Sequence, residues 1–275
     1  MRFSKQLISI LTLIFLLSAC APTPTAAATP APAVELRLDL EQYFDGAEGA
    51  FVLYDLNRNA YIRTDSARCA EQFLPASTFK ILNSLIGLET GVIPDENYII
   101  QWDGTPYDFP AWNQDHTLQS AIQNSVIWYY QELARRVGAE KMQSWVKAAG
   151  YGNADITGNI DTFWLDGALR ISADEEVEFL KRLYQNDLPF SQRAMDIVKK
   201  IIVQEDTPAY RLIGKTGSVV RMEERVGWFV GWLEKDGNVY FFATNFKTTS
   251  QDGWANGAAA REINLEILAE LGLLP

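Results

Sequence analysis

The sequence is short of the residues that most hydrolytic sites use for base chemistry. It has one histidine, His116, and two cysteines, Cys20 and Cys69, in 275 residues. His116 lies in the loop-like string "NQDHTLQ" and is expected at the surface, away from any catalytic pair. With one histidine and so few thiols, a zinc site is not expected, and no other metal is called for. Clustered positive charge is missing too. The chain carries 24 basic and 35 acidic residues, a formal net charge of −11. Its basic residues never run beyond pairs such as Arg135-Arg136 and Lys199-Lys200. A nucleic-acid partner is therefore excluded, because phosphate binding needs grouped Lys and Arg. The chain also lacks an apolar run long enough to cross a bilayer comfortably. Leu7 to Leu17 falls short of that length.

That short run has a different reading. Arg2 and Lys5 precede it and small residues follow it, which is the layout of a secretory signal. Leu17-Ser18-Ala19-Cys20 resembles a bacterial lipobox, which implies lipidation of Cys20 after residues 1–19 are removed. Their loss takes away Arg2 and Lys5 and no acid, so the net charge moves from −11 to −13. Residues 20–34, "CAPTPTAAATPAPAV", are rich in Pro, Ala and Thr and cannot form a core. They suit an extended tether. The expectation is an exported domain, residues 35–275, held to the bacterial envelope by lipid alone. Cys69 is then the one thiol left in that domain and cannot form an internal disulfide. A domain of about 240 residues can be stable on its core alone. Cys69 has no histidine near it in sequence and is read as a structural thiol.

The hydrophobic fraction is 48%, ample for such a core. Ala50 to Asp65 reads as strand, turn and strand, with the bend at Asn57-Arg58-Asn59. Ser77 to Glu89 reads as a helix stopped by Gly91. Ser120 to Val137, Glu140 to Ala149 and Ser191 to Val203 also read as helices. Ser172-x-x-Glu175 is a capping box ahead of an amphipathic helix. "RLIGKTGSVV", "VGWFVGWLE" and "VYFFATNF" read as strands, the last two joined by an Asp236-Gly237 turn. A helix from Gly257 to Leu271 closes the chain. Strands at both ends with helices between them predict an α/β fold: one antiparallel sheet, flanked by helices, with a mainly helical insertion.

Three short strings could carry chemistry. Ser77-x-x-Lys80 opens a helix, Ser125-Val126-Ile127 lies in a helical region, and Lys215-Thr216-Gly217 lies on a strand. A serine hydroxyl needs a base before it can attack. Lys80 shares a helix face with Ser77. A lysine with its ordinary pKa of about 10.4 is charged at neutral pH, so it must be desolvated or chemically changed to accept a proton. Phe79, Ile81 and Leu82 make its burial reasonable. Each string alone is ordinary. Their order and setting together are not.

That order resembles the serine β-lactamases and penicillin-binding proteins, and in detail the class D, or oxacillinase-type, β-lactamases. "PASTFKI" (Pro75 to Ile81), Tyr151-Gly152-Asn153 and "FWLDGALRIS" (Phe163 to Ser172) carry the closer match, which spans Leu36 to Leu274. The resemblance implies that Ser77 attacks a β-lactam carbonyl and forms an acyl-enzyme. It implies that Lys80 is N-carboxylated by carbon dioxide and serves as general base, with Trp164 donating to the carbamate. Ser125 would relay a proton to the leaving nitrogen. The N–H groups of Ser77 and Ser218 would form the oxyanion hole. Lys215, Thr216 and Gly217 would line the substrate strand, and Arg261 would bind the substrate carboxylate. No diffusible cofactor is implied beyond carbon dioxide or bicarbonate, and no oligomeric state. The family's central motif is Ser-x-Val; here Ile127 adds a methylene. Residues Trp102 to Trp112 and Val219 to Val226 are expected at the rim. Two other functions fit part of the pattern. A β-lactam sensor domain stays acylated, but usually follows several membrane helices and tends to be polar where Ile127 stands. A D-alanyl-D-alanine peptidase would lack Tyr151-Gly152-Asn153 and the Trp164 segment.

Overall fold

The structure, a computed structural model, describes residues 34–220, 224–249 and 253–275. Cys20, the signal and most of the tether lie outside the described residues. Nine strands are described: β1 (Val34–Arg37), β2 (Glu48–Asp55), β3 (Ala60–Arg63), β4 (Ile99–Ile100), β5 (His116–Thr117), β6 (Val203–Asp206), β7 (Arg211–Val220), β8 (Glu224–Lys235) and β9 (Asn238–Thr249). The helices are α1 (Ser66–Cys69), α2 (Lys80–Glu89), α3 (Leu118–Gln123), α4 (Ile127–Val137), α5 (Ala139–Ala149), α6 (Ala173–Gln185), α7 (Gln192–Ile201) and α8 (Gly257–Glu270). None of the described helices is long and apolar enough to cross a membrane.

Seven strands form one sheet in the order β1-β3-β2-β9-β8-β7-β6. The first and last thirds of the chain thus meet where β2 pairs β9. Every pairing is antiparallel except β1 with β3, which is parallel and lies at one edge. The tight turn between β8 and β9 forms because Asp236 and Gly237 both take positive φ, 52° and 73°. That combination matches the twist of the flanking strands.

Helices cover both faces of the sheet, so its central strands are apolar on both sides. Neighbouring residues of β8 and β9 face opposite cores. Phe229 and Phe242 pack with Ile263, Ile267 and Leu268 of α8. Val230 and Phe241 belong to the larger core, with Leu82 and Ile86 of α2 and Val177 and Leu180 of α6. Each large side chain removed from water contributes about 1.5–3 kcal/mol. Cys69 is buried and its thiol sits 3.5 Å from the Phe51 carbonyl, as a structural thiol should.

Three local expectations change. The helix expected from Ser77 begins as a 3₁₀ turn, Ala76–Phe79, and becomes α-helical at Lys80. The helix expected over Ser120 to Val137 is two, α3 and α4, and Ser125 lies in the break between them with φ of +53°. His116 is buried rather than exposed. Its ring nitrogens lie 2.9 Å from Ser120 Oγ and 2.8 Å from the Ala111 carbonyl, so two partners satisfy it inside the fold.

Candidate active site

The 3₁₀ turn explains how Ser77 and Lys80 meet. With three residues per turn, side chains at i and i+3 eclipse one another. Lys80 Nζ therefore stands 3.0 Å from Ser77 Oγ. The turn is pinned from two sides. Ala76, at φ +49°, donates its N–H to the Trp164 carbonyl at 3.0 Å. Trp228 of β8 donates its indole N–H to the Leu74 carbonyl at 2.9 Å.

Lys80 is 1% exposed. Its amine also donates to the Ser125 carbonyl at 2.6 Å and meets Ser125 Oγ at 3.0 Å. It lies 5.5 Å from the centre of the Tyr130 ring. Among the described residues no carboxylate pairs with it. Burial, helped by repulsion from Lys215, holds its pKa well below the ordinary lysine range. The break between α3 and α4 delivers Ser125 to this point. A left-handed backbone at a non-glycine residue costs about 1–2 kcal/mol, and such strain is a feature of sites where geometry is over-determined.

Lys215 enters from β7. Its Nζ is 3.0 Å from Ser125 Oγ and 3.0 Å from the Thr216 carbonyl. Burial lowers its pKa to about 7. The Ser125 hydroxyl thus sits between two amines. β7 comes close to the turn that bears Ser77 because residue 217 is glycine. A Cβ there would stand 2.9 Å from the Pro75 carbonyl and 3.3 Å from the Ser77 nitrogen. Gly257, at the start of α8, plays the same part on the far side. A Cβ there would lie 2.8 Å from Thr216 Cβ. The Gly257 N–H also donates to Ser218 Oγ at 2.9 Å.

Trp164 is fully buried and stacks on Phe79, ring centroids 5.4 Å apart. Its indole Nε1 has no hydrogen-bond partner. A buried donor left alone costs about 1–3 kcal/mol, so the site holds a donor ready for an acceptor. The Tyr151-Gly152-Asn153 segment braces the loop that carries Trp164. Asn153 Nδ2 donates to the Ala168 carbonyl at 2.9 Å, and Asn153 Oδ1 accepts the Arg170 N–H at 3.0 Å. Gly152, at φ +52°, packs so tightly on the Arg170 carbonyl that a side chain there would overlap it.

Ser77, Lys80, Ser125, Lys215 and Gly217 are thus gathered at one place, with the Trp164 loop bonded to the turn that bears Ser77. Arg261 is not bonded to any of them. It lies one turn along α8 from Gly257, and its guanidinium pairs with Glu205 of β6 at 2.5 Å. Of the expected rim, Trp112 donates to the Asn124 carbonyl at 2.9 Å, beside Ser125. Tyr107 meets its ring edge-on and Phe109 lies tilted against it, and Phe109 is 62% exposed. Residues 221–223 of the other expected rim segment lie outside the described residues. The sequence reading missed Glu176. It is a buried acid on the apolar face of α6, in phase with Ala173, Val177 and Leu180. An acid in that phase was the available signal.

Comparison with known proteins agrees with this geometry. The penicillin-binding-protein transpeptidase domain matches residues 49–269. The chain is 43% identical to the β-lactamase OXA-48 of Klebsiella pneumoniae over 229 residues, 83% of this chain and 85% of that one. Its fold is similar to the crystal structure of a class D β-lactamase from Nostoc, with 46% identity and a TM-score of 0.81 over 86% of this chain and all of that one. It is also similar to the C-terminal domain of the BlaR penicillin receptor of Bacillus licheniformis, with 37% identity and a TM-score of 0.83 over 90% of this chain and all of that one. A serine and a buried lysine on one turn, a second serine held between two lysines, and relatives of this similarity over most of their length lead to one assignment: the chain belongs to the class D β-lactamases of the penicillin-binding transpeptidase family.

Proposed function

We propose that this protein hydrolyses the β-lactam ring of penicillin-type antibiotics and so confers resistance to them, with Ser77 as nucleophile. The observation that carries the reading is the 3.0 Å contact between Ser77 Oγ and a buried, cation-disfavoured Lys80 amine. A neutral amine reacts with carbon dioxide to give a carbamate and a proton. The unpartnered Trp164 N–H fits such a group, because an indole donates only and an anion accepts. Carboxylated, Lys80 supplies an anionic base at the Ser77 hydroxyl.

The remaining steps belong to this chain's own residues. Ser77 Oγ attacks the ring carbonyl and the C–N bond breaks. Ser125 Oγ, held by Lys215, passes a proton to the departing nitrogen. The Ser77 and Ser218 N–H groups stabilise the oxyanion. Water then attacks the acyl-enzyme, and Ser77 leaves as the hydroxyl. Thr216 and Arg261 receive the substrate carboxylate; Arg261 exchanges Glu205 for it. The apolar group of Tyr107, Phe109 and Trp112 receives the substrate's side chain. Export and lipid attachment through Cys20 belong to the same reading and rest on the sequence of the leader.

Similarity to the BlaR receptor domain supports a second reading, a sensor that is acylated and does not turn over. A chromogenic cephalosporin separates the two. Many product molecules per protein mean hydrolysis. One stoichiometric burst means a sensor and overturns the first reading.

A further inference from the structure

Behind the nucleophile turn lies an acid that hydrolysis, as read above, leaves unused. Glu176 is fully buried on α6. Its Oε1 lies 2.7 Å from Thr78 Oγ1 and 2.8 Å from the Tyr151 hydroxyl. Thr78 Oγ1 also lies 2.9 Å from the Pro75 carbonyl and 3.4 Å from the Tyr151 hydroxyl, the last beyond ordinary O–H···O length, which leaves three short contacts. Thr78 follows Ser77 directly, and Pro75 precedes the turn that carries it.

The hydrogens can be counted. A backbone carbonyl only accepts, so the contact with Pro75 uses the hydroxyl hydrogen of Thr78. The Tyr151 hydrogen serves the contact between Tyr151 and Glu176. The contact between Glu176 and Thr78 still needs a hydrogen, and neither hydroxyl has one left. A protonated Glu176 provides it, since a carboxylic acid donates through O–H while that oxygen accepts from Tyr151. The second carboxyl oxygen points the same way. Glu176 Oε2 is buried without a partner, a position that suits a neutral carbonyl oxygen and not half of a carboxylate charge.

We propose that Glu176 is held as a neutral carboxylic acid and is a positioning residue for Ser77, its proton completing the Pro75–Thr78–Glu176–Tyr151 network that fixes the nucleophile turn. The electrostatics agree. Burial raises the carboxyl to about 7 and the neighbouring Glu175 adds to the rise; the hydrogen bonds that the ionised carboxylate would receive from Thr78 and Tyr151 act against it. The titratable groups bearing on it are Tyr151, from the loop after α5, and Glu175, from α6 itself. Thr78, from the turn, is neutral. Among the described residues no cation pairs with it. Tyr151 is itself held well above its ordinary pKa by burial and by Glu176, and stays a donor.

The consequence is a dependence on pH. At mildly acidic pH all three contacts have a hydrogen. As pH rises through the Glu176 pKa, one hydrogen is lost. Thr78 must then choose between Pro75 and the carboxylate, and the turn loosens.

The inference rests on Ser77 being the nucleophile of the β-lactam reading, and its test has two parts. Infrared difference spectra of wild type minus Glu176→Gln, taken on the whole protein at mildly acidic pH, should contain a protonated-carboxyl C=O band that disappears in alkali. Rapid-mixing acylation by benzylpenicillin should be slowed about ten- to a hundredfold in Glu176→Leu, as expected when a reacting group is misplaced. Glu176→Gln, which is neutral and can still donate, should recover most of that loss and lack the alkaline decline that belongs to Glu176. A carboxylate band alone at mildly acidic pH overturns the proposal, as does a Gln variant as slow as the Leu variant. Should wild type not be acylated at all, the β-lactam reading fails, and the infrared band still decides the state of Glu176.

Discussion

Ser77 and Lys80 stand one 3₁₀ turn apart with their reactive atoms 3.0 Å from each other. In an ideal α-helix residues at i and i+3 are offset around the axis by about 60°; in a 3₁₀ turn they eclipse. The tight first turn therefore sets that distance. Ser77→Ala should abolish both turnover and covalent labelling by penicillin, read by intact mass. Labelling retained at full stoichiometry would place the nucleophile elsewhere.

Trp164 and Lys80 should be linked through carbon dioxide. Depleting bicarbonate should lower wild-type activity, and adding it back should restore it. Trp164→Phe keeps an aromatic ring against Phe79 and removes the N–H. It should raise the bicarbonate concentration needed for half activity about ten- to a hundredfold, the equivalent of a charge-assisted hydrogen bond worth about 1.5–3 kcal/mol. Lys80→Ala should not respond to bicarbonate at any concentration. Full activity of wild type and Trp164→Phe in carbon-dioxide-free buffer, with no carbamate carbon signal in NMR, would make the neutral amine the base.

Arg261 and Glu205 form a pair, which a substrate carboxylate opens on the proposed reading. Arg261→Ala should raise KM for penicillins about tenfold or more, again the worth of a bond to a charged group. Glu205→Gln keeps the shape and removes the competing anion, so KM should fall while kcat changes little. Equal KM in all three proteins would remove Arg261 from the substrate site.

Much of the fold was legible because its signals are local. The Asp236-Gly237 turn, the Ser172–Glu175 capping box and the apolar runs of β8 and β9 all follow from near neighbours. The gathering of Ser77, Ser125 and Lys215 was legible only by resemblance, since no periodicity tells which strand approaches which turn. What stayed hidden depends on contacts remote in sequence. The break at Ser125 is one: Ser120 to Val137 has the composition of a single helix, and the left-handed residue is held by its place between Lys80 and Lys215. The burial of His116 is another: Ala111 and Ser120, which bond its ring, are near in sequence, but Ile100 of β4, which pairs with it, and Trp128 of α4, whose ring centre lies 5.8 Å away, are not. Arg261 was legible as a nearby cation, while its bond to Glu205, across 56 positions of sequence, was not.

The two buried lysines should leave a mark on stability as well as on rate. Lys215 has a pKa of about 7 in the folded chain, and burial places Lys80 well below the ordinary range too. In the unfolded chain both return to about 10.4. From about pH 7 to about pH 9 the unfolded chain thus binds more protons at these two lysines than the folded one, and they make stability rise with pH. Each lysine contributes a slope of up to about 1.4 kcal/mol per pH unit. Other buried groups bound the window. Glu176, raised to about 7, acts oppositely below that pH, because the folded chain keeps a proton that the unfolded chain has released. The Cys69 thiol, raised by burial, and the buried hydroxyls of Tyr61, Tyr129, Tyr130 and Tyr151, raised in the same way, oppose the lysines above about pH 8.5, where the unfolded chain releases those protons, and turn the curve down by about pH 10. Melting temperature measured in carbon-dioxide-free buffer, where Lys80 stays an amine, should therefore climb from about pH 7 to about pH 9. Lys215→Met should be more stable than wild type at pH 7, inactive, and flatter in this window; adding Lys80→Met should flatten it further. A wild-type profile that is level or falling from neutral to mildly alkaline pH would mean that the two amines are hydrated and charged, and that Ser77 has no neutral lysine beside it.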